Sequence, residues 1–176
     1  MLLSDKYPFL TEYFTRALST NVRALPQSIL FYGNDADAQF TFATEIARLL
    51  NCTSDKSDNC ECLNCRWIRE NSHPAVLTIS RIDNKPDDDD SKTVISIKQS
   101  QMIKEALVSA SEFHRVFIFC DRDENGNIAG LNPLNFQAET ANSLLKIIEE
   151  PQPGVTFIFL TLSLIHISEP TRRSYI

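Results

Sequence analysis

Four short, uninterrupted apolar runs punctuate the chain at Ser28–Tyr32, Ala75–Ile79, Val116–Cys120 and Val155–Thr161. Runs of this length without polar alternation predict strands buried on both faces. Between them apolar residues recur at helical spacing. Phe9, Leu10, Tyr13, Phe14, Leu18 and Val22 predict a helix over Tyr7–Val22. Ala38, Phe42, Ala43, Ile46, Ala47 and Leu50 predict another, ending near Asn51. Ser96 and Gln99 have the spacing of a capping box, opening a helix through Phe113 with Met102, Ile103, Ala106, Leu107 and Ala110 inward. Asn135 is placed to cap a helix over Phe136–Glu150, with Ala138, Ala141, Leu144, Leu145 and Ile148 as its apolar stripe and Pro151 as its stop.

The polar stretches complete the pattern. Cys52–His73 reads as a cysteine-bearing insertion with a short helix at Cys65–Glu70, and Arg81–Lys92 as a solvated loop carrying four consecutive aspartates, Asp87–Asp90. Val94–Ser96 is expected to be a brief strand end, and Asn125–Pro133, with two of the four glycines, a loop. Strands alternating with helices give an α/β fold, a mostly parallel sheet flanked by helices.

The first strand hands over to its helix through Gly33–Phe40, in the place and at the length of a phosphate-binding loop. Such a loop reads G-x-x-x-x-G-K-[ST]: backbone N–H groups enclose the phosphates, the lysine reaches them and the hydroxyl holds Mg²⁺. Here only Gly33 keeps its role. Ala38 stands at the second glycine, Gln39 at the lysine and Phe40 at the hydroxyl, while Asp35 and Asp37 add negative charge where the ligand is an anion. Val116–Asp121 similarly has the form of an apolar strand ending in a metal-holding carboxylate. The next residue, where hydrolytic enzymes of this build carry a glutamate to polarise water, is Arg122, and a guanidinium is no general base. Asp121 then remains as a capping or loop-bracing carboxylate.

Composition narrows the field. One domain is expected for 176 residues, and a net charge of −6 argues against a direct grip on nucleic acid. No apolar run approaches the roughly 18 residues of a membrane span, and Met1–Lys6 is no signal peptide, so the expectation is a cytoplasmic protein with reduced thiols and no membrane partner. Four of the five cysteines, Cys52, Cys60, Cys62 and Cys65, cluster. Four thiolates close a structural Zn²⁺ site with Zn–S near ~2.3 Å; free loop thiols are the alternative. Cys62–Cys65 has the usual knuckle spacing, whereas Cys60-Glu61-Cys62 is one residue short and demands a tighter backbone. Cys120 reads as a small core residue, and His73 and His114 as packing or surface residues.

Asn142-Ser143-Leu144-Leu145-Lys146-Ile147-Ile148-Glu149-Glu150-Pro151, together with Ser28–Gly33, the cysteine insertion, Asn71-Ser72-His73-Pro74 and Phe157–Thr161, resembles the AAA+ module of bacterial DNA polymerase III clamp-loader subunits. The resemblance covers Tyr7–Thr161. Ala38, Gln39, Phe40 and Arg122 make the chain similar to the delta-prime branch rather than the ATP-hydrolysing tau/gamma branch. The resemblance implies a subunit with no catalytic residue and no bound ATP of its own. Its partners would be tau/gamma and delta subunits, with the sliding clamp and primed DNA met through the assembled complex. A tau/gamma-like ATPase with a deviant loop, and an AAA+ loader for another DNA repair complex, are the alternatives. From Leu162 the sequence resembles translated sequencing adapter. The expected division is therefore an AAA+ module over 1–161, incomplete at its end, with the cysteine insertion at 52–73, and a non-native tail over 162–176 in which His166 carries no weight. The family's trans-acting arginine, lid and collar would then lie beyond this chain, and the fragment would fold poorly because a sheet edge is left uncovered.

Overall fold

The structure, a computed structural model, describes residues 3–20, 25–89, 93–123 and 125–162. The expected tail with His166 lies outside these residues beyond Leu162, as do Val22, Asp90 and Glu124. In chain order the elements are α1 (Leu3–Lys6), α2 (Pro8–Thr20), β1 (Ser28–Tyr32), α3 (Ala36–Asn51), α4 (Leu63–Arg69), β2 (Val76–Ile79), α5 (Ile97–Val108), β3 (Arg115–Phe119), β4 (Asp121–Arg122), β5 (Ile128–Ala129), a 3-10 turn (Pro133–Asn135), α6 (Ala138–Glu149) and β6 (Val155–Thr161).

Four strands form one sheet in the order β1-β6-β3-β2, every pair parallel. The register aligns Ile29, Ile158 and Ile118 on one face and Phe157 and Phe117 on the other. Side chains alternate across a strand, so each apolar run feeds two cores at once. On the first face Ile29, Val116, Ile118, Ile158 and Leu160 pack with Phe14, Phe42, Ala43 and Ile46 from α2 and α3. On the second, Phe117, Phe119 and Phe157 meet Ile103 and Leu107 of α5 and Leu144 of α6. Stacked rings tie neighbouring strands there, with centroids 5.4 Å apart for Phe117–Phe157 and 4.7 Å for Phe119–Phe159. The expected flanked parallel sheet is therefore present.

The local differences have physical causes. α5 opens on the expected capping box of Ser96 and Gln99 but ends at Val108, not Phe113. Ser109 turns to extended backbone, Ala110 is exposed, and Phe113 leaves the helix to pack its ring 4.9 Å from that of His73. Val94–Ser96 supplies only a single bridge, Ile95 to Phe136. Asn125–Pro133 is not wholly loop: Ile128–Ala129 pairs antiparallel with Asp121–Arg122. The Asp123 carboxylate closes that hairpin by accepting the N–H groups of Asn125 and Asn127, both at 2.8 Å. Asn135 does not cap α6. Its amide donates to Asp121, Asn132 caps the 3-10 turn, and α6 starts only at Ala138. The buried stripe of α6 is consequently rotated, with Thr140 and Leu144 inside, Ile147 and Ile148 half-buried, and Ala138 and Leu145 exposed.

Candidate functional site

The loop between β1 and α3 is filled by its own side chains. Gly33 sits at φ 140°, backbone that a side chain would strain, and donates its N–H to the Thr161 carbonyl at 3.1 Å. Asp35 is the N-cap of α3 and accepts the Ala38 N–H at 3.0 Å. The other carboxylate oxygen accepts from the Tyr7 hydroxyl at 2.9 Å and from the Lys6 ammonium. A helix N-terminus is where an anionic ligand would settle. Here that place belongs to an internal anion, whose carboxyl Lys6, the Ala38 N–H and Tyr7 together hold down at about 2.

Gln39, at the lysine position, is buried and turned inward. Its Nε2 donates to Gly33 O at 2.8 Å and to Thr161 O at 3.1 Å, so the side chain staples the loop to the end of β6. Phe40, at the hydroxyl position, packs half-buried against the first core. Ala38 faces a groove beside α2. The Thr161 hydroxyl donates to Leu131 O at 3.0 Å.

Both oxygens of Asp121 are engaged, Oδ1 by Arg81 Nε at 3.0 Å and Oδ2 by the Asn135 amide at 2.8 Å. Arg122 donates from Nε to Asp83 at 2.5 Å, while Arg81 also reaches the Arg122 carbonyl at 2.5 Å. Two crossed ion pairs thus stand where a metal-holding carboxylate and a general base would be. Arg81, Asp83 and Asn135 were not legible as site residues in the sequence, because the loop after β2 and the 3-10 turn before α6 meet Asp121 and Arg122 only in the fold.

The structure assembles the cysteine cluster in full. The Sγ atoms of Cys52, Cys60, Cys62 and Cys65 all lie within 4.8 Å of one another, with Cys52 3.6 Å from Cys60 and 3.9 Å from Cys62. Tetrahedral Zn–S bonds of about 2.3 Å place sulfurs roughly 3.8 Å apart, so the donor set fits a four-sulfur ion despite the short Cys60–Cys62 spacing. Cys62 is drawn down to about 6 chiefly by the Cys65 backbone N–H, whereas burial pushes the Cys65 thiol up to about 12. A positive charge lies beside the cluster. Buried Arg48 donates to Glu45 at 2.6 and 2.8 Å, to Ser57 O at 2.9 Å and to Cys65 Sγ at 3.7 Å.

Polar clamps fix the insertion to the sheet. Asn64 donates to Asn51 O at 2.8 Å, and the Asn51 side chain both donates to and accepts from the His114 backbone at 2.9 Å. Arg69 ties Cys60 O at 2.9 Å. A charged arginine at an inward position of α3 was the sequence signal for this shell, since a guanidinium is buried only against partners. Cys120 is buried at the end of β3, its thiol pushed up to about 12 by burial. His73 is also buried, with its Nδ1 accepting from the Ala75 N–H at 3.2 Å.

The parallel α/β sheet flanked by helices is consistent with an AAA+-like fold. A family model described as DNA polymerase III, delta subunit, matches residues 7–169, and the chain belongs to that family. Among solved structures, the chain is similar to the DNA polymerase III, gamma subunit-related protein of Thermotoga maritima MSB8. The TM-score is 0.50 and the identity 20%, over 90% of this chain and 41% of that one. That likeness concerns the fold, and the chain spans about two fifths of that relative's length. No curated protein matches the sequence. Among the described residues, no helix is long and apolar enough to cross a membrane.

Proposed function

We propose that the chain is a delta-prime-type clamp-loader subunit, a cytoplasmic, non-hydrolysing partner of ATP-binding tau/gamma subunits in placing the sliding clamp on primed DNA. The observation that carries this reading is the Asp35 carboxylate at the N-terminus of α3, bonded to Ala38, Tyr7 and Lys6. A triphosphate bound there would have to displace a neutralised internal anion and meet Asp37 as well. Gln39 offers no cation to offset that repulsion, and its amide is already bonded to Gly33 and Thr161.

On this reading Asp121 and Arg122 brace the β4–β5 hairpin, and no residue of the chain performs catalysis. Cys52, Cys60, Cys62 and Cys65 would hold a structural zinc ion. Four thiolates leave no open coordination position, and such an ion contributes folding energy to a polar insertion. Arg48 would offset the excess negative charge of the zinc-thiolate group, and Asn51 and Asn64 would transmit its rigidity to the sheet. Residues 162–176 would be foreign to the subunit.

The test is photolabelling of a reconstituted clamp loader, containing the full-length gene product, with an azido-ATP probe. Labelling confined to the tau/gamma-type subunits is the expected result. Saturable label on this subunit would overturn the reading and favour an ATPase with a deviant loop.

A further inference from the structure

The four cluster sulfurs are not equally open to solvent. Cys60 and Cys65 are buried, at 5% and 0% exposure, whereas Cys52 and Cys62 are half-buried. Cys62 is flanked by exposed Glu61 and Leu63, while Cys52 follows buried Asn51. An oxidant arriving from solvent therefore meets Cys62 first. The Cys52 sulfur lies 3.9 Å from it, and the Cys65 sulfur is engaged by Arg48 at 3.7 Å in the buried part of the cluster. Cys52 is the C-cap of α3 and Cys62 the N-cap of α4, so both stand at helix ends with non-helical backbone.

We propose that Cys62 is a site of reversible oxidation by hydroperoxides and that Cys52 is its resolving thiol. An accessible cysteine poised beside a second thiol stops at a disulfide instead of running on to irreversible acids. In the first step the Cys62 sulfur attacks one peroxide oxygen. An S–O bond forms, the O–O bond breaks and the other oxygen leaves as water or an alcohol, giving Cys62 sulfenic acid. The Cys52 sulfur then attacks the Cys62 sulfur. An S–S bond forms, the S–O bond breaks, and the departing hydroxide takes the Cys52 thiol proton and leaves as water. The pair of thiols loses two electrons and one peroxide gains them. Closing the bond asks the two sulfurs to approach from 3.9 Å by about 2 Å. Cys60 lies nearer to Cys52, at 3.6 Å, but is buried away from the oxidant. With Cys52 and Cys62 joined, only Cys60 and Cys65 remain of the four-sulfur set. Loss of the ion on oxidation rests on the reading of the cluster as a zinc site, whereas the disulfide rests on the sulfur geometry alone.

The test treats the full chain with equimolar hydrogen peroxide, alkylates the remaining thiols and maps the peptides by mass spectrometry with and without reduction. Metal content is read beforehand by atomic emission, and released metal by a chromogenic chelator. The expected product is a Cys52–Cys62 disulfide that dithiothreitol reverses, formed in step with release of the ion, while buried Cys120 stays reduced. Cys52→Ser should prevent that disulfide and raise trapping of Cys62 sulfenic acid by dimedone at least tenfold. Cys62→Ser should take up no dimedone at the cluster. If either variant fails to fold, the map of the unsubstituted chain decides. A chain purified without metal contradicts the zinc reading, and the same map still decides the disulfide. A Cys62–Cys65 or Cys52–Cys60 disulfide, oxidation of Cys120 at the same rate, or no reversible loss of thiols would overturn the proposal.

Discussion

Gln39 and Thr161, far apart in sequence, are joined by a hydrogen bond of 3.1 Å from the Gln39 amide to the Thr161 carbonyl. The same amide nitrogen holds Gly33 O at 2.8 Å, so a side chain standing where a phosphate-binding lysine would be locks the loop to the end of β6. Gln39→Leu leaves both carbonyls without that donor in a buried place. A loss of about 1–3 kcal/mol in unfolding free energy is expected from denaturant titration. Gln39→Lys with Phe40→Thr should still fail to create ATP binding, because Ala38, Arg122 and the Asp35 cap remain; filter binding with labelled ATP reads this directly.

Arg48 stands between Glu45 and the sulfur cluster, almost fully buried. Arg48→Met removes the only guanidinium found to contact a cluster sulfur among the described residues, and leaves the Ser57 carbonyl with the Cys60 N–H alone. Destabilisation of about 2–4 kcal/mol is expected, with weaker Zn²⁺ retention in a chelator competition. Wild-type stability should itself fall when a strong chelator is added, and Cys65→Ser should abolish that difference. Unchanged melting with and without chelator would remove zinc from the account.

The pH dependence has a defined sign. Burial lowers the pKa of His73 and of His114, so the folded chain resists protons that the unfolded chain accepts. Their contribution is fully present above the unfolded value of about 6.5 and declines as pH falls below it. His73→Phe should flatten that acid limb, measured as urea midpoints between about pH 7 and pH 5. Asp35, held down at about 2, acts lower: its contribution persists above about 3.9 and is lost as pH falls towards its folded value.

Strand β1 is an outer strand of the sheet, with Leu30 and Tyr32 47% and 66% exposed. An outer strand carrying exposed apolar side chains is an aggregation template. Tyr32→Lys should raise the concentration at which the chain stays monomeric in light scattering, with a change in melting free energy within about 0.5 kcal/mol.

The strands were legible because each is a short apolar run, and the parallel sheet followed from their alternation with helices. The cysteine cluster was legible from spacing alone, although Cys60-Glu61-Cys62 gave no assurance that four sulfurs would meet. What the sequence did not disclose was long-range polar pairing. Asn135 looked like a helix cap because local hydrogen bonding favours that role, yet Asp121 claims its amide. Ile128–Ala129 is too short to signal a strand, and Phe113 was drawn out of a helical pattern by His73. Lys6 and Asp35 are likewise ordinary surface charges until the fold places one on the other.

The central claim is that the loop at the start of α3 is closed to nucleotide by the chain's own Asp35, Gln39 and Lys6. Isothermal titration of MgATP into the purified chain tests it most directly. The account predicts no saturable heat up to nucleotide concentrations of about 1 mM. A micromolar dissociation constant with one site per chain would contradict it.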